Sequence, residues 1–163
     1  MTALSFMDLM DRAKKNASVL VVDDERGVRQ SIEMVLKDRY DVYTAADAGE
    51  AVAVLSKKPV DVVLLDIRLP DADGVELIEV FKDIDPDAEI IMVTAVKEVQ
   101  SAVQAIKAGA FEYLLKPFVV EDIQIAVSRA LEKRGLMRQV SYLKGELQRV
   151  RPFERMVGSE KKC

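Results

Sequence analysis

Five polar side chains follow short apolar runs in this sequence, and their types suit phosphoryl chemistry. Counted along the chain, Asp23 and Asp24 follow the first run, Asp66 the third, Thr94 the fourth and Lys116 the fifth. Three carboxylates brought close together repel, so a cation must neutralise them or one must take up a proton. Without histidine, such oxygen ligands favour Mg²⁺ over Zn²⁺. Beside Mg²⁺ and a lysine ammonium, an aspartate carboxylate can attack phosphorus, which favours a covalent aspartyl phosphate.

The apolar runs predict the strands that carry these side chains. They are short and rich in β-branched residues, and we place them at 18–22, 40–44, 60–65, 90–93 and 111–115. Apolar residues at helical spacing lie between them. Five strands alternating with five helices predict an α/β fold with a parallel sheet, helices on both faces and the more polar 40–44 strand at an edge. Such sheets place their chemistry at the carboxyl edge of the strands, so the five side chains should surround one crevice.

Composition and charge exclude several classes of protein. The 163 residues are 50% apolar and 32% charged, enough for one domain with a sizeable core and a further segment. The absence of histidine excludes Ser-His-Asp and Cys-His catalysis, and the single cysteine, Cys163, excludes an internal disulfide. No apolar run approaches the roughly 20 residues that cross a bilayer, and no signal pattern opens the chain, so we expect a cytoplasmic protein with no membrane contact.

The net charge of −4 is unevenly distributed along the chain. Residues 1–132 carry 15 basic and 25 acidic side chains, whereas residues 133–163 carry 9 basic and 3 acidic ones. The acidic body argues against a nucleic-acid surface there. A dinucleotide site is also disfavoured, because the turn after the first strand is acidic and lacks a G-x-G-x-x-G pattern.

Four motifs together resemble the receiver domain of two-component response regulators. They are Asp23-Asp24, the run LLDIRLPDADG at 64–74, Thr94-Ala95, and the run GAFEYLLKPF at 109–118. The resemblance covers residues 17–133, preceded by an N-terminal extension at 1–16. It implies a flavodoxin-like (CheY-like) fold and a signalling switch that takes a phosphoryl group from a sensor histidine kinase. Such a protein catalyses its own phosphorylation and slow dephosphorylation but is not otherwise an enzyme.

The resemblance also implies a role for each residue of the crevice. Asp66 would be the phosphoacceptor, and Lys116 the lysine that binds the phosphoryl group. Asp23, Asp24 and Asp66 would bind Mg²⁺, together with the backbone carbonyl of Arg68.

Further roles follow from the same resemblance. Thr94 and Tyr113 are similar to the family's switch pair, in which the hydroxyl turns towards the phosphoryl group and the tyrosine moves from an exposed to a buried position. The Lys116–Pro117 bond is expected to be cis. We also hypothesise that Arg68 and Val96, two residues beyond Asp66 and Thr94, border the attacking water and tune the lifetime of the acyl phosphate.

The segment that follows the receiver region predicts a linker. The last helix has no obvious stop, and residues 134–151 continue it with apolar residues at alternating spacings of four and three, namely Leu136, Val140, Leu143, Leu147 and Val150. We expect this linker and the face formed by the fourth and fifth helices to form a homodimer. The alternative is a single amphipathic helix that packs on its own domain. Arg151-Pro152 should end the helix.

The run FERMVGSE at 153–160 resembles the opening of the AAA+ ATPase domain of NtrC-type, sigma54-dependent activators. Residues 152–163 are therefore expected to be the start of an absent AAA+ domain. This chain carries no P-loop and should not bind ATP by itself, and it would contact DNA only indirectly, through absent domains. A dimer rearrangement controlled by phosphorylation would then regulate the ATPase domain.

Other interpretations of the same residues remain. An aspartate-nucleophile phosphatase also attacks phosphorus with a strand-end aspartate, but it needs a second aspartate as general acid where this chain has Arg68. A structural dimerisation module with an inert crevice is the third possibility. Asp71, Asp73 and Gly74 resemble part of a calcium loop, yet we interpret them as a turn that opens the third helix. Asp47 and Glu50 predict a capping box for the second helix.

Overall fold

The computed structural model describes residues 17–95 and 99–150, in which five strands alternate with five helices. The strands are β1 (Ser18–Val22), β2 (Asp41–Ala45), β3 (Val62–Asp66), β4 (Glu89–Ala95) and β5 (Glu112–Lys116). The helices are α1 (Arg26–Leu36), α2 (Ala48–Lys57), α3 (Gly74–Ile84), α4 (Val99–Ala108) and α5 (Val120–Val150). The alternating α/β arrangement is the one that the apolar runs predict. Val96, residues 1–16 and residues 151–163 lie outside the described residues.

The strands form one parallel sheet in the order β2-β1-β3-β4-β5. The polar strand β2 is at an edge, as predicted, and it is the less buried neighbour of β1. Because the strands are parallel, their carboxyl ends meet at one edge of the sheet. That edge carries the ends of β1, β3, β4 and β5, which are the strands that precede the candidate site residues.

Helices cover both faces of the sheet, and the alternation of side chains along β3 explains why. Val62 and Leu64 point into a core shared with α1 and α5. Val63 and Leu65 point into a second core shared with α2, α3 and α4. Side chains alternate between faces along a strand, so a strand between two helical layers must be apolar at nearly every position.

Aspartate side chains fix the starts of α2 and α3. Asp47 Oδ1 accepts a hydrogen bond of 2.8 Å from Glu50 N, and Asp73 Oδ1 accepts one of 2.9 Å from Val75 N. The predicted capping box is formed in part, since Glu50 Oε2 accepts from Ala46 N (3.2 Å) rather than from the Asp47 amide. Asp73 caps α3, which confirms the turn that opens the third helix.

Helix α5 continues without interruption from the receiver region into the predicted linker. Lys133 and Arg134 are still attached to the domain, because Arg134 Nε donates to Asp61 Oδ1 at 2.7 Å and Lys133 Nζ lies 3.2 Å from Glu89 Oε2. Arg134 is buried, so the packing of the domain reaches the first residue assigned to the linker.

Beyond Arg134 the described side chains of α5 face solvent. Leu136 is 62% exposed and Leu143 is 59% exposed. The side chains of Val140, Leu147 and Val150 lie outside the described residues. None of the helices in residues 17–95 and 99–150 combines the length and the apolar character that crossing a bilayer requires.

Candidate phosphoacceptor site

Three aspartates meet at the carboxyl edge of the sheet. Asp66 is the last residue of β3, and Asp23 and Asp24 directly follow β1, the neighbouring strand. One carboxylate oxygen from each of the three lies within 4.8 Å of the others. Asp23 and Asp66 are buried, whereas Asp24 is exposed. The crevice thus has two buried carboxylates at its base and a third at its solvent side.

Lys116, the last residue of β5, reaches the same crevice from the far side of β4. Its Nζ atom lies 3.3 Å from Asp66 Oδ2 and 3.4 Å from Asp23 Oδ2. The lysine therefore bridges the two buried carboxylates and offsets part of their repulsion. The Lys116–Pro117 bond is cis, as predicted.

The loop after β3 holds Asp66 from the other side. Asp66 Oδ1 accepts a hydrogen bond of 3.0 Å from Arg68 N, and Arg68 pairs with Asp73 in an isolated antiparallel bridge. Gly74 N donates to Ile67 O at 3.0 Å, which draws the start of α3 against the loop. A Cβ atom at position 74 would lie 2.8 Å from Ile67 Cα, so only glycine permits this approach without a backbone shift.

The pKa of Asp66 depends on its burial, on one backbone hydrogen bond and on the opposite charges of its neighbours Asp23 and Lys116. Burial raises the pKa of Asp66, the hydrogen bond from Arg68 N opposes this, the charge of Asp23 raises it further, and Lys116 lowers it. The net result is a pKa above the ordinary range of an aspartate. For Lys116, burial lowers the pKa, but the attraction of Asp66 and Asp23 outweighs burial and raises it. The lysine is thus held in its charged form beside the carboxylates.

Thr94 and Tyr113 lie on neighbouring strands next to this crevice. Thr94 is 1% exposed, and its hydroxyl donates to Ala95 O at 3.2 Å. The register pairs Met92 with Tyr113, and Thr94 stands two residues beyond Met92, so Thr94 and Tyr113 project from the same face of the sheet. Tyr113 is half-buried against the core beneath α2, α3 and α4.

Two contacts that support the site are not visible in the sequence motifs. Asp71 accepts hydrogen bonds from Ala48 N (2.9 Å) and Gly49 N (3.2 Å), which ties the loop after Asp66 to the first turn of α2. Arg29 Nη1 donates to Asp23 O at 2.7 Å. An aspartate after Pro70 signals a turn but not a partner 23 residues away, and a bond to a backbone carbonyl leaves no sequence signal.

The three carboxylates are a suitable ligand set for a hard divalent cation. Mg²⁺ takes oxygen ligands at about 2.0–2.1 Å, which puts ligands on opposite sides of the ion ~4 Å apart. One carboxylate oxygen from each of Asp23, Asp24 and Asp66 lies within 4.8 Å of the other two, so all three can approach one ion. The all-oxygen donor set and its clustering therefore fit such an ion.

The match to a family model covers most of the domain that surrounds this site. Residues 19–128 match the response regulator receiver domain, and the chain belongs to that family. The resemblance to NtrC-type regulators is supported as well, since the similar curated proteins include several regulators of this class. Receiver domains bind Mg²⁺ through an acidic pocket, and family membership supports phosphorylation-controlled signalling.

Individual relatives place the chain within longer proteins. It is 31% identical over 126 residues to the regulatory protein AtoC of Escherichia coli and 37% identical over 123 residues to the C4-dicarboxylate transport transcriptional regulatory protein DctD of Rhizobium meliloti. These alignments cover 77% and 75% of this chain but 27% of each relative. The chain thus spans about a quarter of the length of these curated relatives.

Solved structures agree with the fold. NtrX from Brucella abortus in complex with ADP aligns with a TM-score of 0.76 at 34% identity, over 78% of this chain and 30% of that one. A response regulator receiver domain protein from Clostridium thermocellum aligns with a TM-score of 0.71 at 33% identity, over 74% of this chain and 98% of that one. The predicted CheY-like fold is confirmed.

Proposed function

We propose that Asp66 accepts a phosphoryl group from a histidine kinase and that the modified domain regulates a downstream AAA+ domain. The observation that carries this proposal is the position of Lys116 Nζ, 3.3 Å from Asp66 Oδ2 and 3.4 Å from Asp23 Oδ2, in a crevice lined by three carboxylates. A buried aspartate with a cation on one side and cation ligands on the other suits attack on phosphorus.

In the transfer step, a carboxylate oxygen of Asp66 forms a bond to phosphorus as the bond between phosphorus and the donor nitrogen breaks. The donor imidazole keeps the electron pair. Lys116 would then pair with a phosphoryl oxygen. Hydrolysis reverses the modification, because water attacks phosphorus, inorganic phosphate leaves and the Asp66 carboxylate is restored.

Asp23, Asp24 and Asp66 would hold Mg²⁺, together with the backbone carbonyl of Arg68. When bound, the ion supplies positive charge that offsets the negative charge on the oxygens of the transferring phosphoryl group. Asp23 and Asp24 contribute carboxylates from the loop after β1, and the hydrogen bond from Arg68 N orients the nucleophile.

We assign the switch to Thr94 and Tyr113, which project from the same face of the sheet. A phosphoryl group on Asp66 adds about two negative charges beside the end of β4. The Thr94 hydroxyl, whose only hydrogen bond among the described contacts is to the neighbouring carbonyl, is then drawn towards it. Tyr113 can move into the vacated space, which would change the face formed by α4, β5 and α5. Arg68 and Val96 would tune the lifetime of the acyl phosphate.

Incubation with acetyl phosphate and Mg²⁺, followed by intact-mass measurement, tests the phosphoacceptor. The wild type should gain the mass of one phosphoryl group, Asp66→Asn should gain none, and Asp83→Asn, which changes an exposed aspartate of α3, should behave as the wild type. Continuous release of phosphate without accumulation of the adduct would support the phosphatase. Neither adduct nor turnover would support an inert module. Exchange of Arg68 and Val96 should alter the rate at which the adduct is lost.

The output would pass through a homodimer. Leu136 and Leu143 are exposed and lie one heptad apart on α5, and the face of α4, β5 and α5 exposes Val103 and Leu115 as well. Exposed apolar side chains in this arrangement support pairing with a second copy of the chain. The sigma54-dependent AAA+ domain would receive the resulting change in dimer geometry.

Sedimentation equilibrium with and without phosphorylation tests the dimer. Leu136→Lys with Leu143→Lys should shift the protein towards monomer, whereas Met34→Lys, which changes an equally exposed residue on α1, should not. Equal self-association of all three proteins would remove the linker from the interface.

A further inference from the structure

The loop that carries Asp23 and Asp24 leads into α1 without a side-chain cap at the start of that helix. Glu25 occupies the N-cap position of α1 but its side chain makes no capping hydrogen bond. Instead, Asp23 Oδ1 accepts a hydrogen bond of 2.9 Å from Glu25 N. One oxygen of a candidate metal ligand is therefore engaged in holding its own loop, and the loop geometry and the ligand position depend on each other.

Arg29 holds the loop from the side of the helix. From the second turn of α1, its Nη1 atom donates a hydrogen bond of 2.7 Å to the backbone carbonyl of Asp23. On the other side, Asp23 N donates to Ala45 O at 3.1 Å, at the end of β2. The backbone of Asp23 is thus held from both the sheet and the helix, while its buried carboxylate faces Lys116.

We propose that Arg29 is a positioning residue for the acidic pocket, which keeps Asp23 where its carboxylate can meet Asp66 and a divalent cation. Arg29 does not contribute a ligand, since a guanidinium cannot bind a cation. It acts on the metal ligand through the backbone, in the way that groups outside the ligand set commonly tune metal sites. The proposal rests on the proposed function, because it requires that the pocket binds Mg²⁺.

Charge and geometry predict opposite effects when Arg29 is replaced. If its positive charge alone acted on the pocket, removal of that charge would reduce the repulsion felt by a cation and Mg²⁺ would bind more tightly. If Arg29 positions Asp23, its removal releases the loop and Mg²⁺ binds more weakly. The sign of the change in Kd therefore separates the two mechanisms.

Calorimetric titration of Mg²⁺ into the full chain tests the proposal, with wild type, Arg29→Gln and Arg26→Gln. Arg26 is the matched control because it is an exposed arginine on the first turn of the same helix, three residues earlier. We expect Arg29→Gln to raise the Kd about tenfold or more. Arg26→Gln removes the same charge and should leave the Kd unchanged or lower it slightly.

Arg29→Lys is the second variant, in case Arg29→Gln lowers the folded fraction in a thermal unfolding control. It keeps the charge on a side chain that is one bond shorter, so we expect weaker Mg²⁺ binding by several-fold, where a pure charge effect predicts no change. Wild-type or tighter binding by a folded Arg29→Gln or Arg29→Lys protein overturns the proposal. A wild type that takes up no Mg²⁺ overturns the proposed function, and this inference with it.

Discussion

Replacement of Gly74 by alanine should destabilise the domain and disturb the loop that carries Asp66. The new Cβ atom would lie 2.8 Å from Ile67 Cα, 2.9 Å from Ile67 O and 3.1 Å from Asp66 O. The first of these distances is about 0.6 Å short of ordinary van der Waals contact, which begins at 3.4 Å. All three atoms belong to the backbone, so no side chain can rotate away, and the loop or the start of α3 must shift.

The magnitude follows from three contributions. Overpacking costs about 1–3 kcal/mol, and loss of the hydrogen bond from Gly74 N to Ile67 O (3.0 Å) costs about 1 kcal/mol. Removal of a flexible glycine from a helix returns about 0.5–1 kcal/mol. The free energy of unfolding should therefore fall by about 1–3.5 kcal/mol, which for a chain of this size lowers Tm by roughly 2–14 °C.

Thermal unfolding and urea denaturation measure this change, with Gly27→Ala as the matched control. Gly27 lies in the first turn of α1, and a Cβ atom there would meet nothing within 4 Å, so that variant should be as stable as the wild type or slightly more stable. Phosphoryl uptake from acetyl phosphate should also be slower in Gly74→Ala, because the shifted atoms adjoin Asp66. Equal Tm values for the two alanine variants would refute the close-approach argument.

Three further predictions concern contacts away from Asp66. Hydrogen bonds from α2, led by the one from Ala48 N, lower the pKa of Asp71. This aspartate therefore stabilises the fold above its unfolded pKa of about 3.9, and the contribution is lost as pH falls through the lower folded pKa. Asp71→Asn should lower Tm at pH 7 but change it little near pH 2, and a Tm loss of the same size at both pH values would contradict this. Arg134→Met should reduce the free energy of unfolding by about 2–4 kcal/mol in urea denaturation, because it removes one partner of a largely buried ion pair. Adding Asp61→Asn to this variant should reduce the free energy of unfolding by less than Asp61→Asn does alone. Strictly additive reductions would count against the pair. Burial raises the pKa of Tyr40, so its hydroxyl stays protonated to higher pH in the folded state than in the unfolded state. The free energy of unfolding should therefore fall as pH rises above about 10. This fall should be less steep in Tyr40→Phe than in the wild type.

The sequence predicts the strands well because burial on both faces leaves a strong apolar signal. β3 is predicted at 60–65 and lies at Val62–Asp66, and β4 is predicted at 90–93 and extends to Ala95. Both strands extend past their predicted ends and include the polar residue that follows the apolar run, Asp66 or Thr94, since backbone pairing continues beyond that run. The order of motifs along the chain therefore sufficed to place the crevice.

The supporting contacts were not predictable, because they join residues far apart or use backbone atoms. The signal around Asp47 is local, an aspartate three residues before a glutamate, and it correctly indicates a helix start. Asp71 bonds to a helix 22 and 23 residues earlier, and Arg29 bonds to a carbonyl. The sequence pattern assigns Arg134 to the linker, although Asp61 holds it against the domain.

Chemical mapping of the modified residue shows whether the phosphoryl group is on Asp66. Protein treated with acetyl phosphate and Mg²⁺ is reduced with borohydride, which converts an aspartyl phosphate to homoserine, and is then digested and sequenced by mass spectrometry. We expect homoserine at position 66, and none when Mg²⁺ is removed by a chelator. Homoserine at another aspartate, or unmodified Asp66 in protein that has gained a phosphoryl group, would contradict this expectation.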